Sequence, residues 1–268
     1  MSQVAPRRYL APALDRGLTI LEYLAENSSN PLSLAQMTRD LAMPKSSLFR
    51  LLATLETKGY VERDEEGRYR LGTKVLEFEE AYRPWSRLRG VASPFMYQLA
   101  EQAKETCHLA VLGEGGAVYI DKVEGPRSLT LSSRIGAKAA LHASAVGKVL
   151  MAGLREEELE EVMARYGLPK LTERTIISLA ELRSHLAKVR EQGYAVDDEE
   201  EEGGVRCLGA PIRDHRGKAI AALSLAGLSA NFAPERIPEL VKMLKETTAK
   251  ISHHLGYVSP GGNPTQTL

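Results

Sequence analysis

The segment over residues 41–72, LAMPKSSLFRLLATLETKGYVERDEEGRYRLG, constrains the fold more than any other stretch. Pro44 suits the first position of a helix, where its missing N–H leaves no bond unmade. Leu48, Leu51, Leu52 and Leu55 then recur at i, i+3, i+4 and i+7, which makes one apolar stripe that must face a core. Gly59 stops the helix. YVER and RYRL flanking DEEG, with Gly67 in the turn, predict a two-stranded hairpin.

Upstream, Leu14, Leu18, Leu21 and Ala25 fall at helical spacing until NSSNP at 27–31 breaks the pattern. Ser33 can cap a second helix over 34–41, whose Leu34, Met37 and Leu41 share a face, and Ala42 and Met43 form a tight turn. Three helices and a hairpin over residues 1–72 predict a winged helix-turn-helix, with the hairpin as the wing. Such a unit lays its recognition helix in the major groove of DNA. Opposite the apolar stripe of that helix lie Ser46, Arg50, Ala53 and Thr57, with Ser47, Phe49 and Thr54 on the flanks. No acid occurs between Asp40 and Glu56, as an anionic duplex requires of the face it meets. Lys45 and Arg50 can neutralise phosphates or read guanine, and Ser46 and Ser47 can reach phosphates or bases. Phe49, Thr54 and the wing's Arg68 complete the expected DNA-binding set. Residues 1–72 hold ten Lys plus Arg against nine Asp plus Glu, so a single copy binds weakly and a homodimer or tetramer reading two half-sites is expected. The alternative is a winged helix used for protein contacts alone.

A chain of 268 residues favours a small module joined to a larger one. Residues 73–83 read as helix, as do 86–106 through Leu88, Val91, Phe95 and Leu99, with Pro94 in a first turn or at a kink. The expected division is a linker helix over 73–90, a mixed α/β domain over 91–258 and a frayed tail over 259–268. Within the second domain CHLAVL and AVYIDKV predict a hairpin and LTLSSRIG a further strand. Ser144 caps a helix to Ala152, EEELEEVMARYG and SLAELRSHLAKVREQG are helices, VRCLGAPIRD and AIAALSLAGL form a buried hairpin, and a last helix spans about 234–255.

Lys plus Arg and Asp plus Glu both total 35, so DNA binding must come from a local patch. No stretch has the apolar length of a membrane span, and a cytoplasmic protein without membrane partners is expected. The Gly147-Lys148 pair raises a phosphate loop, but His142 stands where the first glycine is needed and Val149 where Ser or Thr would bind magnesium. A helix N-terminus at Ser144 could instead hold a small carboxylate, or be a simple capped helix. Cys207, His142 and Asp197 have no local feature that orients them as a thiol nucleophile. Cys107, His108, His142, His253 and His254 lack ligand-type spacing. No catalytic residue, metal or cofactor is therefore expected. The run DDEEEE at 197–202 reads as a solvated loop from which only Asp197, next to a strand, can enter a pocket.

The blocks MPKSSLFRLLATLETKGYVERDEEGRYRLG, SRIG, LHASAVGKVLMA, TERTI and REQGYAVDDEEEEGGVRCLGAPIRDHRGKAIAALSLAG, in that order, resemble the IclR-type bacterial transcriptional regulators, most closely their pectin-degradation (2-keto-3-deoxygluconate) repressor subgroup. The resemblance implies an α+β chain: winged helix-turn-helix, linker helix and a GAF-like α/β effector-binding domain. It implies dimers or dimers of dimers on operator DNA, responding to a small carboxylate. It also implies an effector cradle of Ala139, Ala145, Val146, Asp197, Cys207, Ser224 and Ala226. Ala226 departs from the family, whose members often carry a second serine there, and a ligand oxygen left unpartnered costs about 1–3 kcal/mol. Arg206 could face away from the pocket or bend in as a carboxylate clamp. An enzyme acting on a small carboxylate, localised by its winged helix, is the rival reading.

Overall fold

The computed structural model describes residues 11–28, 30–81, 85–126 and 133–258, and the chain divides into two units, Met1–Arg83 and Pro84–Leu268. In the first unit α1 (Pro12–Glu26), α2 (Leu34–Asp40) and α3 (Lys45–Thr57) precede the strands β1 (Val61–Arg63) and β2 (Tyr69–Leu71), and α4 (Val75–Ala81) follows. Each boundary has a local cause. Ser33 and Gln36 form a reciprocal capping box at the start of α2. Ala42, at φ 49°, makes the turn into α3. Pro44 sits one position earlier than expected, as the residue that caps α3, and Gly59 leaves the helix at φ 78°. The hairpin pairs Val61 with Leu71 and Arg63 with Tyr69, and Leu32 bonds both ways to the Tyr69 backbone.

Ile20, Leu24, Met37, Leu48, Leu52, Val61 and Tyr69 form the core of this unit, each such large side chain contributing about 1.5–3 kcal/mol when fully buried. The buried face of α1 corrects the sequence reading. Gly17, Ile20 and Leu24 point inward, while Leu14 and Leu18 are 64% and 51% exposed. Both rows have helical spacing. The partners across the core choose between them, and those lie outside the segment.

The second unit is built on one antiparallel sheet of order β5-β4-β3-β8-β7-β6, comprising β3 (Thr106–Gly113), β4 (Gly116–Val123), β5 (Lys138–Ala139), β6 (Ala195–Asp198), β7 (Val205–Arg213) and β8 (Ala219–Leu228). Helices α5 (Ser86–Ala103) and α9 (Ile237–His254) pack on one face against Leu109, Val111, Leu208, Ile212, Leu223 and Leu225. Alternation turns a different set to the other face: His108, Ala110, Cys207, Gly209, Ala222, Ser224 and Ala226. These are small residues apart from His108, and α6 (Ala145–Ala152), α7 (Glu156–Tyr166) and α8 (Leu179–Gln192) cover part of them. A side chain at Gly209 would meet the Ala145 carbonyl at 2.8 Å, so α6 lies directly on the β7 backbone there.

Several expectations shift. Leu88 lies in the core of the second unit, so the end of the linker expected over 73–90 belongs to that unit. Pro94 lies inside α5, beyond its first turn. Of the strand expected over LTLSSRIG (129–136), residues 129–132 lie outside the described residues, and Ser133–Gly136 form no strand; the tail 259–268 also lies outside the described residues. Gly136 adopts φ 85° in a turn and donates its amide to the Tyr119 carbonyl of β4 at 2.7 Å, and Lys138 and Ala139 pair with Val118 and Ala117 of the same strand.

Candidate DNA interface and effector cavity

On α3 the expected reading face is open. Lys45, Ser46, Phe49, Arg50 and Thr54 are exposed and Ser47 is half-buried. Phe49 keeps 49% of its surface accessible, unusual for a phenylalanine that packs internally. Thr54 donates its hydroxyl to the Arg50 carbonyl at 3.0 Å. The wing differs. Arg68, expected to face DNA, bonds Asp64 at 2.9 Å and Glu66 at 2.8 Å, and Arg70 bonds Glu62 at 3.0 Å. The wing turn therefore holds two of its cations in its own ion pairs.

In the second unit a cavity of about 450 Å³ opens on the small-residue face of the sheet, lined by His108, Tyr119, Ser133, Ala137–Ala139, Asp197, Glu201, Glu202, Val205, Cys207 and Ala226. Four of the expected cradle residues line it: Ala139, Asp197, Cys207 and Ala226. The other three, Ala145, Val146 and Ser224, are buried and form none of the lining. Ser224 stands opposite His108 and Gly209 in the sheet, and Ala145 packs on Gly209. Ser224 thus shares the sheet face of the cavity without lining it.

The acid run is not a solvated loop, which is the chief correction to the sequence reading. Asp197 is 1% and Glu200 6% exposed. The Asp197 carboxylate accepts the amides of Glu200 at 2.8 Å and Glu201 at 3.3 Å, closing the turn on itself. Glu201 in turn accepts the Ala140 amide at 2.6 Å. The TERTI segment clamps the loop from outside: Thr172 and Thr175 each donate to a loop carbonyl at 2.7 Å, of Glu199 and Glu200, and Arg174 bonds Asp198 at 2.8 Å. Under the loop Lys148, wholly buried, meets Glu200 at 2.5 Å. The Gly-Lys pair, excluded as a phosphate loop, thus supplies a buried counter-charge.

Burial governs the titration of the cavity. It pushes Asp197 up to about 6, against the amide bonds and the Lys148 charge that pull it down. Glu201 rises to about 7 for the same reason. His108 is pushed down to about 3 by burial and then by Lys122, so its ring is neutral where it meets the Ser133 hydroxyl at 2.7 Å. A cavity with two carboxyls whose ionisation burial disfavours, one lining lysine (Lys138) and neutral hydroxyl and imidazole groups can bind a small polar ligand at both a charged and a hydroxylated end.

The thiol-enzyme arrangement does not assemble. His142 bonds the Pro169 carbonyl at 2.9 Å and does not line the cavity, while burial and the nearby carboxylates raise the Cys207 thiol. Arg206 is no clamp either; it bonds Asp198 at 2.6 Å and the Phe232 carbonyl at 2.8 Å. Among the described residues, no group of three or more His, Cys, Asp or Glu could hold a metal and no helix is long and apolar enough to cross a membrane. Sequence reasoning missed Tyr119, Ser133, Lys138, Glu201 and Glu202, and considered His108 only as a metal ligand. A polar side chain at an inward position of an otherwise apolar strand was the available signal for His108.

Known proteins place these features in a family. Residues 13–65 match the IclR helix-turn-helix domain and residues 85–253 the bacterial transcriptional regulator IclR C-terminal domain. The chain is 36% identical to the HTH-type transcriptional regulator KdgR of Escherichia coli over 89% of this chain and 90% of that one. It is 36% identical to the regulator XynR of the same organism, over 91% and 97%. Among solved structures, the Thermotoga maritima IclR matches with TM-score 0.79 at 35% identity, covering 92% of this chain and 99% of that chain. An IclR homolog of Microbacterium hydrocarbonoxydans complexed with 4-hydroxybenzoate matches with TM-score 0.73 at 26% identity, over 89% and 98%. With an exposed recognition helix in one unit, a polar cavity in the other and both family domains in order, the chain belongs to the IclR family of DNA-binding bacterial transcriptional regulators.

Proposed function

We propose that the protein represses a catabolic operon and is released or rearranged on its operator by a small hydroxylated carboxylate, such as a keto acid from sugar-acid breakdown. The observation that carries this reading is the cavity lining: Lys138 suits a ligand carboxylate, while Asp197, Glu201, Tyr119 and Ser133 suit its hydroxyl groups. The 4-hydroxybenzoate bound by the Microbacterium relative has both kinds of group. On this reading Ala139, Asp197, Cys207 and Ala226 contact the effector, and Ala145, Val146 and Ser224 support the wall. Lys45, Ser46, Ser47, Phe49, Arg50 and Thr54 meet operator DNA, and Arg68, held in its pairs with Asp64 and Glu66, makes a weaker contact from the wing.

The mechanism is linkage. Effector and operator prefer different arrangements of one homodimer or tetramer, so each changes the other's affinity by the same factor. Thermal unfolding of the purified protein against 2-keto-3-deoxygluconate, pyruvate, glyoxylate and hydroxybenzoates tests the reading, because a ligand of the folded state raises the midpoint by mass action. One acid should stabilise the wild type and fail with Asp197→Ala. A panel in which no acid does so rejects the proposed ligand class.

A further inference from the structure

We propose that Lys148 is the positioning residue of the effector cavity: its buried ammonium, bonded to Glu200, holds the acid loop in the shape that presents Asp197 and Glu201 to the ligand. The inference rests on the effector reading of the cavity and adds to it a residue that never touches the ligand.

Lys148 lies in the second turn of α6 with none of its side chain accessible. Burying an ammonium is costly, and an apolar pair of similar volume commonly stabilises a fold as well or better, so stability alone does not account for this ion pair. Its geometry does. Lys148 holds the Glu200 side chain, the Glu200 amide binds Asp197 Oδ1 at 2.8 Å, and the Glu201 amide binds the same oxygen at 3.3 Å. Thr175 fixes the Glu200 carbonyl at 2.7 Å. Glu200 is thus gripped through side chain, amide and carbonyl, and the residues gripping it include a cavity carboxylate. The second Glu200 oxygen is buried without a hydrogen-bond partner, which leaves Lys148 as the only cation among the described residues bonded to that carboxylate.

The charged and titratable neighbours come from every side. Cys207 of β7 stands opposite Asp197 in the strand pair; His108, Tyr119 and Lys138 line the cavity from β3, β4 and β5, and Glu202 from the loop. On α8, His185 is held neutral, down to about 4, by burial and then by the Lys148 charge. Lys148 and Glu200 act on Asp197 with opposite sign, the first favouring its carboxylate and the second opposing it. That opposition separates positioning with charge from mere packing.

The test is a ¹³C NMR titration of the Asp197 carboxyl in the full chain, without effector. Lys148→Met should raise the Asp197 midpoint by about one unit, Lys148→Arg should leave it nearly in place, and Glu200→Gln should lower it. Hydrogen exchange at the Glu200 and Glu201 amides should quicken about tenfold in Lys148→Met, the loss of a hold worth one factor of ten. An Asp197 midpoint unmoved by Lys148→Met, or driven upward by Glu200→Gln, overturns the proposal. Should Lys148→Met not fold, Glu200→Gln decides by the sign of its shift. Neither readout needs an effector, so an acid panel without a hit removes the effector reading while the titration still judges the hold of Lys148 on the loop.

Discussion

Glu201 accepts the backbone amide of Ala140 at 2.6 Å, so a carboxylate of the cavity wall also fastens the segment that leads into α6. The two roles separate by substitution. Glu201→Gln keeps an acceptor for that amide and, measured below about pH 4 where the wild-type carboxyl is largely protonated, should change stability by less than about 0.5 kcal/mol. Glu201→Ala leaves the amide without its partner and should cost about 1–3 kcal/mol. Urea unfolding of both variants measures the difference; equal losses would mean that the amide finds another acceptor.

Stability should fall as pH rises through the acid range of the cavity. Asp197 moves from a usual value of 3.8 up to about 6 on folding, and Glu201 from 4.5 up to about 7. Between those values the folded state binds more protons than the unfolded chain, so each rise in pH favours unfolding. Asp197→Asn, which can still accept the two loop amides, should flatten the stability profile between about pH 4 and 6. A wild-type profile that climbs with pH across this window, after other groups are accounted for with the variant, contradicts the burial of Asp197.

Operator binding should be carried by α3. Arg50→Ala and Lys45→Ala should each weaken binding by about 1–3 kcal/mol if the side chain reads a base, or reduce the salt slope by about one if it meets a phosphate. Fluorescence anisotropy against salt separates the two. Unchanged affinity and slope in both variants would take α3 off the DNA.

The wing should contribute little charge. Arg68 is paired with Asp64 and Glu66, and the turn also carries Glu65. Arg68→Ala should weaken operator binding less than Arg50→Ala does. Glu65→Lys should tighten binding and steepen its salt dependence by up to about one. A larger loss from Arg68→Ala than from Arg50→Ala would show that its ion pairs open on DNA.

The helix-turn-helix was legible because its signals are local: the Ser33–Gln36 box, the Pro44 start, the leucine stripe and Gly59 all lie within a few residues of what they control. The inward face of α1 was not, since Leu14/Leu18 and Ile20/Leu24 carry equal helical periodicity and only partners across the core decide. The acid run misled for the same physical reason. Six consecutive acids are solvated unless something distant compensates them, and here Lys148 lies 52 residues from Glu200 and Thr175 lies 25 away. In the cavity, the resemblance reached Ala139 of β5, Cys207 of β7, Ala226 of β8 and the first acid of the loop. Tyr119 and Lys138 escaped it because strand register, which no local pattern fixes, brings them to the same face.

The sheet divides its labour between its two faces. Leucines, isoleucines and valines fill the α5/α9 side, while the opposite side is mostly alanine, glycine, serine and cysteine. The binding volume is therefore space that side chains leave unfilled, and it can be redrawn one methyl group at a time at Ala139, Ala226 or Cys207 without disturbing the scaffold behind. A lineage built on this sheet can change the molecule it responds to by point substitution while keeping its fold and its operator-reading half intact.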